Sequence, residues 1–116
     1  ELKKIECDEP TLTPLFSELG GLIVRHELPI SLFFQLLDAF ERDLTVHRYE
    51  NFNQLQDYCA HSANPIGRLL LHLFGHTNEE YFKWSDSICT SLQIINFLQD
   101  ILQMQYLQIH FQQYLQ

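Results

Sequence analysis

The stretch Leu92-Gln93-Ile94-Ile95-Asn96-Phe97-Leu98-Gln99-Asp100 is apolar at most positions and carries amides and one carboxylate at helical spacing. At 3.6 residues per turn, Gln93, Asn96 and Asp100 fall within roughly 60° of one another on a helix. The rest of the circumference is mostly Leu, Ile and Phe. Such a helix is expected to be buried and to turn a narrow polar strip towards a cavity. An unpaired buried carboxylate is costly, so Asp100 calls for a cation, a metal or a hydrogen-bond network. Spacing alone leaves two readings open. In one, Asp100, Asn96 and Gln93 are oxygen ligands or donors to a divalent cation and its substrate, since hard cations select oxygen. In the other, they form an ordinary polar network inside a helical bundle.

Outward from this stretch the pattern stays helical. Asn78 with Glu79 and Glu80 is an N-terminal signal, with a capping side chain and acids suited to the dipole. It predicts one long helix from Glu79 to beyond Asp100. Before it, Ile66 to Phe74 is an apolar segment that ends at Gly75 and is set off by Asn64-Pro65, which breaks the preceding helix. Asn51 with Gln54 resembles a capping box and opens a helix with Phe52, Leu55, Tyr58, Cys59 and Ser62. Pro29 opens another, with Leu32, Phe33, Leu36, Leu37, Phe40 and Leu44 as its apolar face. Thr13-Pro14 starts a helix that Gly20-Gly21 weakens by roughly 1 kcal/mol each. Residues 1–10 read as a polar lead-in. No strand-like alternation is sustained, so the fold class is all-α, over a single helical unit or fragment spanning residues 1–116.

The chain of 116 residues is 46% hydrophobic, which is enough for a core. Its net charge of −8 argues against nucleic-acid binding, which needs a basic surface. Cys7, Cys59 and Cys89 are widely spaced and form no C-x-x-C, so reduced thiols in a cytoplasmic setting are expected. No apolar run is long enough to span a bilayer, which leaves peripheral membrane contact open. Residues 99–116 hold seven glutamines and read as a helical Gln-rich tail. The chain begins at Glu1 rather than Met, as part of something longer would.

Three other constellations could carry chemistry. Tyr58 and Ser62 stand one turn apart, before the small-residue break Ala63-Asn64-Pro65-Ile66-Gly67, where a ligand could approach or the helix could simply kink. Arg68 after it could receive an anion or pair with an acid. Asp43 lies near a helix C-terminus, where the dipole disfavours an acid, with Arg48 and Tyr49 close in sequence. His72 and His76 have a metal-ligand spacing, but no H-E-x-x-H occurs and a structural role is the simpler reading.

Taken in order, Phe40-Glu41-Arg42-Asp43-Leu44-Thr45, Arg48-Tyr49, Tyr58 to Leu71, Trp84-Ser85-Asp86 and Leu92 to Asp100 resemble the squalene/phytoene synthase family. The Ser62-Ala63-Asn64-Pro65-Ile66-Gly67-Arg68 segment is most similar to its bacterial hydroxysqualene synthase branch. The resemblance covers about residues 30–101. It implies an all-α isoprenoid-synthase helical bundle around a cavity for prenyl chains, and a prenyl diphosphate (farnesyl or presqualene diphosphate) as substrate, processed on the way to squalene and hopanoids. It implies Mg²⁺ held by two aspartate-rich motifs. On this chain it makes Asn96 and Asp100 metal-side residues and Gln93 a cavity residue. Tyr58 and Asp43 become active-site groups, Ala63 and Gly67 wall residues, and Arg68 a substrate contact.

The departures are specific. Residues 1–30 hold no first aspartate-rich motif, and Met104 stands where the second motif repeats its Asp. A partial member is therefore expected, inactive on its own. The alternative is a non-catalytic helical module derived from that fold, binding lipid or associating with itself or a paralogue, so homo-oligomers are also expected.

Overall fold

A computed structural model describes residues 1–46 and 48–114. It contains six helices and no strand among the described residues: α1 (Leu2–Glu6), α2 (Pro14–Arg25), α3 (Ile30–Thr45), α4 (Phe52–Ser62), α5 (Asn64–Leu73) and α6 (Glu79–Tyr114). The local signals place their boundaries. Pro29 precedes α3 with an extended backbone, and Thr13 does the same for α2, though its hydroxyl caps nothing. Asn51 Oδ1 accepts from Gln54 N at 2.9 Å, and Gln54 Oε1 accepts from Glu50 N at 3.0 Å. That is the reciprocal logic of a capping box, displaced by one residue on the return bond. Asn78 Oδ1 accepts from Glu80 N at 2.8 Å at the head of α6. Gly75 ends the α5 segment at φ 76°, a left-handed conformation that glycine adopts without strain.

The lead-in expected over residues 1–10 is instead partly helical. Leu2 and Ile5, three apart, make a one-turn apolar face: Leu2 is buried, and Ile5 lies against Gly20 of α2. Glu1 Oε2 accepts from Leu12 N at 2.9 Å, a bond that holds its carboxyl below the usual carboxylate range. So two residues without a sustained pattern anchored a segment that composition alone reads as polar.

Helices α3, α4 and α5 pack on one another, and α6 lies across α4 and α5. The buried centre is small: Ile23, Leu28, Leu32, Ala39, Tyr58, Cys59, Pro65 and Phe82. Along α3 the buried positions are Leu32 and Ala39, seven apart, whereas Phe40 and Leu44 of the expected apolar face are exposed. Helix α6 carries exposed apolar residues beside the Gln93, Asn96 and Asp100 strip, and its main packing partners are α4 and α5. Its outer half-circumference therefore faces solvent, and residues 101–109 are exposed all round.

Between α5 and α6 the backbones approach closely at Gly67. A Cβ placed there would collide with Ser85 Oγ and lie 2.6 Å from Cys89 Sγ. Thr90 Oγ1 donates to Asn64 Oδ1 at 2.9 Å and ties the head of α5 to the middle of α6. None of the helices is long and apolar enough to cross a membrane.

Candidate active-site wall

The best-built polar feature joins the end of α3 to α4. Tyr58 OH donates to Asp43 Oδ1 at 2.5 Å. Tyr58 is only 7% exposed, and burial, reinforced by the carboxylate it bonds, pushes its pKa up to about 12. Ser62 Oγ, one turn on, is shielded from solvent but outside hydrogen-bond geometry, although close enough to oppose that rise slightly. The phenol is thus a fixed proton donor at any physiological pH, not a base. Tyr49 packs against it with ring centroids 5.4 Å apart, and its own pKa is raised by burial and by Asp43.

From Tyr58 the site continues to α6. The Phe97 ring stands 6.0 Å from that of Tyr58. Phe97 and Tyr49 then line a cleft of about 410 Å³ whose other walls are Arg48, Leu55, Asp100, Ile101 and Met104. The sequence-nominated groups Asp43, Tyr58 and Asp100 therefore border one corner of the molecule, connected through Tyr49 and Phe97. Gln93 is half-buried at the inner face of α6, while Asn96 and Asp100 are exposed.

The expectation that this strip is buried in a cavity is corrected here. No element among the described residues closes over it, so Asp100 meets water on one side and Arg48 and apolar groups on the other. Its carboxylate makes no hydrogen bond or ion pair among the described residues, and in the open it needs none.

The other nominated residues fall elsewhere. Ala63 is half-buried at the α4–α5 junction. Gly67 lines a separate groove of about 620 Å³ between α5 and α6, with Phe74, Trp84 and Ile88. Arg68 is held by Asp86 in a two-pronged pair, Nε to Oδ1 at 2.9 Å and Nη2 to Oδ2 at 2.5 Å. Its guanidinium carbon sits 5.4 Å from the centroid of Phe82, which stacks on His72. Of the two fates open to Arg68, this structure shows the acid as partner. Asp86 was legible as part of a motif, but its pairing was not, because the two residues are eighteen apart.

Sequence reasoning missed a second ionic cluster. Arg42 reaches Asp38 at 2.9 Å and Asp57 at 2.7 Å, stitching α3 to α4. The Asp57 bond raises the pKa of Arg42 and lowers that of Asp57. The spacing of Asp38 and Arg42, one turn apart on a helix, was the available signal.

The donor set does not fit a Mg²⁺ site within this chain. A hard divalent cation takes several oxygen ligands. Among the described residues no group of three or more His, Cys, Asp or Glu side chains is placed to hold a metal. Beside Asp100 the cleft offers a cation, Arg48, and the thioether of Met104.

Such a helical wall, with the buried Tyr58 phenol bonded to the exposed Asp43 carboxylate beside an apolar cleft, belongs to an all-α isoprenoid-synthase type of fold. The solved squalene synthase HpnC from Alicyclobacillus acidocaldarius superposes with a TM-score of 0.81 at 42% identity, over 87% of this chain and 38% of that one. The squalene/phytoene synthase family model matches residues 1–107, and the chain belongs to that family. The match takes in α1 and α2, ahead of the stretch that carries the motifs. Hydroxysqualene synthase of Zymomonas mobilis is 48% identical over 65 residues, covering 56% of this chain and 22% of its own length. Hydroxysqualene synthase of Sinorhizobium fredii is 43% identical over 82 residues, 69% of this chain and 25% of its own. The chain thus spans about a quarter of the length of these curated relatives.

Proposed function

We propose that this chain forms one wall of a prenyl-diphosphate-processing enzyme of the hydroxysqualene or squalene synthase type, acting in hopanoid-type isoprenoid biosynthesis. The observation that carries the reading is the Asp43–Tyr58 pair, set within one ring contact of the cleft at Asp100. Relatives with the corresponding segment are named for that chemistry.

On this reading each group has a limited task. Tyr58, protonated and held by Asp43, presents a fixed dipole at the edge of the apolar wall. Phe97, Ile101 and Leu55 offer a water-poor surface to a prenyl chain, which protects a developing carbocation from premature capture. Asp100 and Asn96 sit on the polar edge where a diphosphate head would lie. Mg²⁺ is the usual companion of such a head in this family by resemblance, but the residues present do not complete a site for it, and no step is assigned to it here.

The 116 residues alone are expected to give no product from farnesyl or presqualene diphosphate with Mg²⁺ present. Clear formation of hydroxysqualene or squalene by this chain would overturn that expectation. Binding separates the two readings of the fold. If Asp100→Ala abolishes Mg²⁺-dependent binding of a prenyl diphosphate, the enzyme-wall reading stands. If it changes stability alone, the chain is a non-catalytic helical module. The incomplete donor set at Asp100 is the observation that favours this second reading.

A further inference from the structure

Two polar bonds join α3 to α4, and they come from neighbouring residues. Arg42 Nη1 donates to Asp57 Oδ2 at 2.7 Å, and Tyr58 OH donates to Asp43 Oδ1 at 2.5 Å. Arg42 precedes Asp43 on α3, and Asp57 precedes Tyr58 on α4. Neighbours on a helix point about 100° apart, so the two bonds clasp the pair at different azimuths. A single bond would leave α4 free to roll on α3. Two bonds set at an angle hold both roll and slide. Asp38, one turn before Arg42, lies 2.9 Å from its Nε, so the guanidinium is held from its own helix while it reaches across.

Apolar packing does little to set this register. The residues of α3 and α4 with no exposed surface are Ala39 and Cys59, and both are small. Bulky side chains interlock as ridges in grooves, whereas small ones let helices approach without a notch that fixes their slide. Arg42 and Asp57 line a different recess from the cleft at Asp100, so a ligand in that cleft would feel them only through Tyr58.

We propose that Arg42 and Asp57 are positioning residues for the Asp43–Tyr58 pair: their ion pair sets the register of α4 on α3 that lays the Tyr58 hydroxyl on Asp43. The catalytic meaning of this rests on the enzyme-wall reading. The positioning itself does not, and it is measured in the chain without any substrate.

Ionisation of Tyr58, followed by ultraviolet absorption, reads the pair. The groups facing Tyr58 are Asp43 of α3, Tyr49 of the connection, Ser62 on its own helix and Phe97 of α6. Burial and the Asp43 bond push its pKa up to about 12, and a phenol shifted off Asp43 gives up its proton earlier. Arg42→Gln and Asp57→Asn should each raise the ionisation constant of Tyr58 about threefold (~0.5 pH unit), within the ~5-fold that a solvated ion pair can supply. The shared direction is the signature. As bare changes of charge, losing the Arg42 cation would delay ionisation, whereas losing the Asp57 anion would advance it. Asp57→Glu keeps the ion pair and should keep the original midpoint. Gly67→Ala, which weakens the fold at the α5–α6 contact, should keep it too. Circular dichroism at each pH confines the comparison to folded chain.

Opposite shifts in the two neutral variants would overturn the proposal, as would no shift in either or an equal shift in Gly67→Ala. If Arg42→Gln does not fold, Arg42→Lys takes its place. It keeps the charge but not the fork shared between Asp38 and Asp57, and an unchanged or later midpoint there overturns the proposal too.

Discussion

Replacing Gly67 by Ala is expected to destabilise the chain, although alanine is by far the better helix former. The reason is the close passage of α5 over α6. The added Cβ would collide with Ser85 Oγ and sit 2.6 Å from Cys89 Sγ. Two neighbours on the same helix must move at once, and Cys89 is itself half-buried. Overpacking of this kind costs about 1–3 kcal/mol, here towards the upper end. The gain in helix propensity is about 1 kcal/mol. The net loss is therefore about 1–2 kcal/mol. With a urea dependence of about 1–2 kcal/mol per molar, the unfolding midpoint should fall by roughly 0.5–2 M. The decisive measurement is the same substitution in a Ser85→Ala/Cys89→Ala background. There the clash is gone and the propensity term remains, so Gly67→Ala should become neutral or stabilising. Equal losses in both backgrounds would refute the argument that Ser85 and Cys89 set the cost at Gly67.

Two further outcomes follow from the polar pairs. The pKa of Tyr58 is raised from 10 to about 12 in the folded chain. The folded state therefore holds the phenol proton more tightly than the unfolded state, and stability present below pH 10 is lost as pH rises towards 12. Ultraviolet titration should show one tyrosine ionising late, and Tyr58→Phe should abolish that late step. A loss of the late step in Tyr49→Phe alone would reassign it. Arg68→Lys removes the two-pronged geometry with Asp86 but keeps the charge, and should cost about 0.5–1.5 kcal/mol, because both side chains are partly solvated. Thermal unfolding that does not distinguish the two proteins would show that the pair contributes nothing to stability.

Helices were legible where capping chemistry and periodicity agree. Asn51, Asn78 and the Asn64-Pro65 break each did what their side chains dictate. The missed helix, α1, had neither a repeated pattern nor a cap, and depended on Leu2 and Ile5 finding α2 and α3. Tertiary contact, invisible to a local reading, decided it. Phe40 and Leu44 fail for a related reason: periodicity marks a face as apolar but not which part of it another helix reaches.

The site divides along the same line. Asp43 and Tyr58 are fifteen residues apart and were nominated separately, yet the packing of α3 on α4 makes them one hydrogen-bonded unit. Arg68 was read as receiving an anion or pairing with an acid, and packing gave it an acid from the same chain. Asp100 shows why spacing can identify a helix face and still mislead about its surroundings. A polar strip on an apolar helix normally implies burial, because apolar residues elsewhere on the helix must be covered. Here those residues are uncovered, and the carboxylate stands in the open with them.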